Sequence, residues 1–361
     1  MKKLAIILTL AMLISLLAGC AGTPVIYYTD CTCPVGSHTE TPNEEVPSTE
    51  APVLAEGAVK TGLAIITSVG KSTSATAEAE GVADYDVTIA AVNVDENGVI
   101  TSCYLDSIGA SVKFGADGVI TSDVTASVLT KNELGDNYGM KAYGGATYEW
   151  YEQAQALANY AVGKTVEELR AGAVNEAGKA ADADLASTAT IYLGGYVAAI
   201  EAAVANAQNL GAQAGDVLKV AVLCGLTDSK SADAEKAGNA QLNVDAAAIT
   251  MNGETITSCV IDSVQAKVSF DTTGTITSDL TAPVQTKNEL GENYGMVAWG
   301  GASAEWNEQA ASFASYVTGK TPAEVSGIAV DERTAPTDAD LASSVTIAIA
   351  GFQALIAKAA Q

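Results

Sequence analysis

Residues 130–154 read TKNELGDNYGMKAYGGATYEWYEQA, and residues 286–310 read TKNELGENYGMVAWGGASAEWNEQA. Lys131 answers Lys287 and Trp150 answers Trp306, at a constant offset of 156 residues. The offset holds without a gap from ITSC (100–103 and 256–259) through GKT (163–165 and 319–321) to DADLAS (182–187 and 338–343). Such a period is far longer than that of solenoid or propeller repeats, so each copy is expected to be a complete domain with its own core. The chain therefore divides into two tandem domains, 58–208 and 209–361.

Working outward, each copy begins with strand patterns. In the first, 62–68 is followed by a polar connection at 75–84. From Tyr85 to Val94 residues alternate, Tyr85, Val87, Ile89, Ala91 and Asn93 against Thr88, Ala90, Val92 and Val94. Asp95-Glu96-Asn97-Gly98 is a hairpin signal and 99–105 returns. A shorter hairpin follows at 111–121. In the second copy 218–224, 240–251 and 255–261 play the same parts, which predicts an antiparallel meander. Helical patterns come after. Trp150, Ala154, Leu157, Ala158 and Ala161 fall at three- and four-residue spacing, as do Trp306, Ala310, Phe313, Ala314 and Val317. Gly163 and Gly319 close these helices, and Thr165…Glu168 and Thr321…Glu324 are capping boxes that start the next. A last helix is expected over 184–205 and 340–360, with Leu193, Tyr196, Ile200 and Ile349, Phe352, Ile356 as its buried stripe. The fold class is α+β, sheet first and packing helices after.

The ends and the composition bound the setting. Lys2 and Lys3, an apolar run over 4–17 and Leu17-Ala18-Gly19-Cys20 make 1–20 a targeting segment. The Leu-Ala-Gly-Cys box resembles that of bacterial lipoproteins, which implies lipidation at Cys20 and an extracytoplasmic domain pair anchored to the cell membrane. Residues 21–57, with five prolines and few large apolar residues, read as an acidic, disordered tether. Cys31, Cys33 and the single histidine, His38, lie within it and lack a second ligand pair, so no metal site is expected. Loss of Lys2 and Lys3 takes the net charge from −25 to −27, which excludes nucleic acid as a partner. Cys103 and Cys259 alternate with Leu105 and Ile261 and read as buried structural thiols; Cys224 has no counterpart.

The folded part carries no histidine, so it offers neither a Ser-His-Asp nor a Cys-His arrangement, and no catalytic residues are assigned. Glu133, Asp136, Glu149 and Glu152, matched by Glu289, Glu292, Glu305 and Glu308, are carboxylates in pairs, with Glu149 and Glu152 read as a solvated helix face. Two repeated features remain. The segment 133–145 holds Gly135, Gly139, Gly144 and Gly145 with Tyr138 and Tyr143, which suits either stacking on a planar ring or a structural loop whose aromatics cap the core. The other feature is Asp184-Leu185-Ala186-Ser187-Thr188-Ala189-Thr190, repeated as Asp340-Leu341-Ala342-Ser343-Ser344-Val345-Thr346. Hydroxyls and amides at a helix start suit an anion such as phosphate, or form a plain cap by Asp184 or Ser187.

The order of a strand hairpin, Glu133-Leu134-Gly135, Trp150 with Gln153 and Gly163, then Asp-x-x-Ser-x-Ala-Thr, resembles a known family. It is the FMN-binding domain of the extracytoplasmic flavin subunits of Rnf and Nqr complexes and of flavinylated surface lipoproteins. The family motif is Asp-x-x-Ser/Thr-Gly-Ala-Thr, and its last threonine carries FMN through a phosphoester made by a separate flavin transferase. The resemblance implies Thr190 and Thr346 as attachment points, Ser187 and Ser343 as motif hydroxyls, and Asp184 and Asp340 as leading carboxylates. Glu133, Glu289, Tyr138 and Tyr294, in the surrounding loop, are the remaining cofactor-binding candidates. Thr188 and Ser344 stand at the family glycine, Val345 replaces the alanine, and the glutamate motif lacks its Thr-Pro-Gly.

These readings converge on a tethered lipoprotein holding FMN for extracellular electron transfer, with a flavin transferase and a redox partner implied. It would be a carrier more than an enzyme with its own turnover. The alternatives are a flavin-free surface module for display, adhesion or assembly, and a solute-binding lipoprotein with a ligand between the domains, hinged at 209–215.

Overall fold

A computed structural model describes residues 57–361. The targeting segment, Cys20 and all of the tether except Gly57 lie outside the described residues. The first half runs β1 (Lys60–Ser68), β2 (Gly81–Val94) and β3 (Ile100–Phe114), then α1 (Lys131–Leu134), a 3-10 turn (Gly135–Tyr138), α2 (Met140–Gly144), α3 (Trp150–Ala161), α4 (Val166–Gly172), α5 (Ala183–Thr188) and α6 (Gly194–Ala205). The second runs β4 (Val217–Gly225), β5 (Gly238–Asn252), β6 (Thr255–Phe270), α7 (Lys287–Leu290), a 3-10 turn (Gly291–Tyr294), α8 (Trp306–Val317), α9 (Pro322–Ser326), α10 (Ala339–Ala342) and α11 (Ala350–Ala359). Each half thus has one antiparallel three-stranded meander, β1-β2-β3 or β4-β5-β6, followed by helices. Among the described residues no helix is long and apolar enough to cross a membrane.

The strands are longer than their sequence patterns. β2 begins at Gly81, inside the stretch read as a polar connection, and β3 and β6 continue to Phe114 and Phe270. The reason is that both faces of these strands are covered. Tyr85, Val87, Ile89 and Ala91 enter a middle core, while Ala90, Val92 and Val94 face helices α3 and α6. On the far side Ala247, Ile249 and Met251 of β5 face α8 and α11. The middle core is shared: Leu63, Tyr85 and Ile108 lie in one cluster with Leu242, Val244 and Val264. The order of layers is helices, sheet, sheet, helices. This corrects the expectation that each copy closes its own core, because the inner face of each sheet is buried by the other.

Reciprocal contacts bind the halves. The Phe114 and Phe270 rings stack at 4.0 Å and 2°, worth about 0.5–1.5 kcal/mol beyond area burial. The Ile120 amide donates to Ser231 Oγ and the Ile276 amide to Ser74 Oγ, each at 2.9 Å. Ala75 N donates to Gly274 O and Ala232 N to Gly118 O, each at 2.8 Å. The stretch expected to hinge is also fixed: Val59 N donates to Ala212 O at 3.0 Å, and Thr61 and Gln208 exchange both backbone bonds. A strand-like pairing of this kind leaves no free linker, which corrects the hinge.

The last helix of each half is broken. α5 ends at Thr188 and α6 starts at Gly194, with Ala189 extended; in the second half α10 and α11 are separated over 343–349. β-branched residues at 188, 190 and 191, and at 345–347, disfavour helix there, and bonds to buried side chains hold the break open.

Candidate functional site

The break between α5 and α6 is where Thr190 sits, and its partner is Gln153 on α3. Gln153 is fully buried in the middle of the apolar stripe. Its Oε1 accepts from Thr190 N at 2.7 Å, Ile191 N at 3.1 Å and Thr190 Oγ1 at 3.2 Å, while Nε2 donates to Tyr148 O at 3.0 Å. Gln309 does the same for Thr346 N (2.8 Å), Ile347 N (3.2 Å) and Thr346 Oγ1 (3.2 Å), and donates to Ala304 O. Both threonines are exposed. A buried amide carbonyl thus presents each hydroxyl at the surface. Sequence reasoning missed both glutamines as partners, although the chain carries a signal for them: a polar residue standing within an apolar stripe, in both copies.

The neighbouring motif residues behave otherwise than expected. The caps of α5 and α10 are Asp182 and Asp338, not Asp184 or Ser187. Asp182 Oδ1 accepts from the Asp184 and Leu185 amides at 2.9 Å, so the helix-start amides are already satisfied and the expected anion site there is corrected. Ser187 and Ser343 turn back onto Asp184 O and Asp340 O at 2.6 and 2.7 Å. Thr188 and Ser344, at the family glycine, likewise donate to Leu185 O and Leu341 O and are folded onto their own helices. Around Thr190 the halves differ. Lys179 Nζ donates to Thr190 O at 2.8 Å, whereas its counterpart by offset is Ala335, and the exposed Tyr192 is answered by Ala348.

The 131–145 segment is a chain of short helical turns that begins with a capping box of Thr130 and Glu133. Glu133 also pairs with Lys358 of α11. Partial burial opposes its charge, but the hydrogen bonds from Lys358 and the Thr130 amide outweigh that and hold the carboxyl below its usual range. Glu289 makes the same capping box with Thr286. Lys131 Nζ stands 5.1 Å from the Tyr138 ring centroid and 5.2 Å from Trp150; Lys287 stands 5.1 Å from Tyr294 and 4.7 Å from Trp306. One face of each tyrosine is therefore taken by a lysine. Tyr143 and Trp299 are 92% and 84% exposed and so do not cap the core, whereas Tyr294 packs against the outer core of its half.

Glu149 is not on a solvated face. It is 1% exposed, caps α3, and accepts from Met140 N at 2.8 Å and Lys141 N at 3.0 Å; Glu305 repeats this with Met296 N and Val297 N. Cys103 and Cys259 lie against the outer cores as free thiols, and burial pushes both up to about 12, so neither is a ready nucleophile. Among the described residues no group of acidic, histidine or cysteine side chains has the arrangement of a metal site.

Asp106 and Asp262 were also missed by sequence reasoning. Asp262, 5% exposed, accepts from Ser263 N at 2.7 Å and Asn288 N at 3.1 Å and so pins α7 to β6. Burial pushes its carboxyl up to about 6. A folded-state value above the unfolded one means that its contribution to stability is present in full below about pH 4 and is lost as pH rises through about 6. Asp262→Asn should therefore be more stable than the parent at pH 7, by up to about 3 kcal/mol, with the difference vanishing towards pH 4. Urea unfolding across that range measures it, and a difference independent of pH would contradict the assignment.

A cleft of about 850 Å³ opens beside β6 and α8, walled on one side by residues 206–210. Of the flavin candidates only Glu289 lines it; Thr346, Ser343, Asp340 and Tyr294 do not. No protein-family model, curated protein or solved structure compared with the chain matches it. What the fold and sites define is a mixed α+β protein of two sheet-plus-helix units, each presenting one surface threonine on a buried glutamine.

Proposed function

We propose that the two halves are copies of one FMN-binding-like unit, and that the chain is a lipid-anchored extracytoplasmic flavin carrier with Thr190 and Thr346 as attachment positions. The observation that carries this is the hydroxyl of an exposed threonine bonded to a buried glutamine carbonyl at the same place in both halves. Attachment would join Thr Oγ to the FMN phosphorus of a flavin dinucleotide as the bond to the AMP moiety breaks, with AMP leaving and the hydroxyl proton passing to the transferase. The bound isoalloxazine would supply the electron chemistry. Thr188 and Ser344 bond back to Leu185 O and Leu341 O and make no bond to the attachment threonines. Lys179 beside Thr190 makes the first half the better equipped, since an ammonium offsets phosphate charge.

A flavin-free surface module is the second reading. The satisfied helix-start amides favour it, as does a cleft lined by neither threonine. Intact mass and fluorescence after denaturation, on protein from cells co-expressing a flavin transferase, separate the two. The expected result is covalent flavin lost in Thr190→Ala and largely retained in Thr346→Ala. An unmodified mass with no fluorescence would leave the module reading standing.

A further inference from the structure

The cleft beside β6 has an unbalanced set of polar atoms. The side-chain NH₂ groups of Asn206 and Asn288 each place one N–H on a backbone carbonyl, Leu63 O (3.1 Å) and Ile261 O (3.0 Å), which fixes the amide orientation. The Thr318 hydroxyl is spent on Ala314 O. Asn307 Oδ1 is buried with no hydrogen-bond partner. Asp262 brings a buried carboxylate, and the Tyr104 hydroxyl that donates to Asp106 Oδ2 in the first half is replaced by Val260. Glu289 and Glu308 each commit one oxygen to a cap, from Thr286 N and Glu305 N, both at 2.8 Å. Asp262, Glu289 and Glu308 line the cleft and no lysine or arginine does, so negative charge is in excess and a complementary ligand must bring positive charge.

The molecule itself shows which kind of cation such a site takes. In the first half the matching carboxylate, Glu133, is paired with the Lys358 ammonium. By offset the counterpart of Lys358 is Ala202, and among the described residues Glu289 has no ion-pair partner. Lys287 interacts with Asp245 first and with Asp262 after it, and its ammonium is held by Tyr294 and Trp306. Leu63, Leu210, Val260, Ile261 and Ala311 give the cleft an apolar wall suited to a carbon chain.

We propose that this cleft binds a small linear primary amine of the diamine or polyamine class, its ammonium on Glu289 and its methylenes along the apolar wall. The volume lies within the range of small-ligand sites, and a net charge of −25 concentrates such cations around the protein. Glu289 is the one flavin candidate that the site uses; neither attachment threonine lines the cleft, so amine binding does not depend on flavin attachment.

Calorimetric titration of the full chain with 1,5-diaminopentane, beside 1,5-pentanediol as an uncharged control, tests it. Saturable one-site binding of the diamine alone is expected, weakened tenfold or more by Glu289→Gln and unchanged by Glu332→Gln, an exposed carboxylate elsewhere. Should Glu289→Gln fail to fold, Asn307→Leu removes the orphaned oxygen without touching the cap and should weaken binding several-fold. No saturable binding, equal affinity in the site variant, or equal weakening by Glu332→Gln would overturn the proposal.

Discussion

Replacing Gly62 by alanine is expected to destabilise the protein by about 3 kcal/mol or more, among the largest effects of any single methyl addition. Gly62 lies in β1, where α6 crosses the sheet. A Cβ there would overlap the backbone carbonyl oxygen of Ala203 and come within 3.0 Å of Ala207 Cα. Backbone cannot rotate aside as a side chain can, so α6 must move bodily. Its buried face, including Val197, Ile200 and Ala203, would then lose contact with β1 and β2. The bond from Asn206 Nδ2 to Leu63 O lies next to the clash and would break with it. Urea unfolding of Gly62→Ala beside Gly98→Ala separates steric overlap from strain. Gly98 has φ +79°, and a methyl added to it would meet no atom within 4 Å, so its cost should be limited to backbone strain of about 1 kcal/mol. Equal midpoints for the two variants would show that α6 does not sit where the structure has it.

Gln153→Leu should cost about 3 kcal/mol, and Gln309→Leu a similar amount. Each substitution keeps the packing volume but strands two backbone amides, at 190 and 191 or at 346 and 347, together with the carbonyl of Tyr148 or Ala304. An unsatisfied buried polar group costs about 1–3 kcal/mol, and access of water to the exposed side of the break limits the total. Hydrogen exchange supplies a sharper readout than the midpoint. Amides 190 and 191 should lose protection in Gln153→Leu while 346 and 347 keep theirs, and the reverse should hold for Gln309→Leu. Unchanged protection at all four would remove the glutamine from its assigned role and, with it, the support for a presented threonine.

Much of the local structure was legible. Trp150, Ala154, Leu157, Ala158 and Ala161 are all buried on α3, and the capping boxes at Thr165 and Thr321 form as their spacing requires. The meanders follow from alternation and turn residues. The hairpin of the second sheet is one residue shorter than that of the first: Val94 answers Met251, whereas Ile100 answers Ile256. The pattern absorbed that change because a turn can lose a residue without reversing which side chains face in. Element ends were less legible. The break before α6 depends on what Gln153 bonds to, and β2 reaches Gly81 because Gly81 pairs there with Phe114 at the end of β3, a contact that no window of local sequence contains.

Reading along the chain was enough to place strands before helices in each half, to mark which helix faces are apolar, and to single out the residues that are candidates for chemistry. Those properties are set by periodicity, turn chemistry and capping, all of which act over a few residues. Packing in three dimensions settled the rest: that the two sheets share a core, that Gln153 and Glu149 are buried acceptors, and that a cleft opens at Glu289 while Lys358 fills the matching place at Glu133. An apolar face states that it must be covered but not by what, and a polar side chain does not reveal whether its partner is water or a backbone group far along the chain.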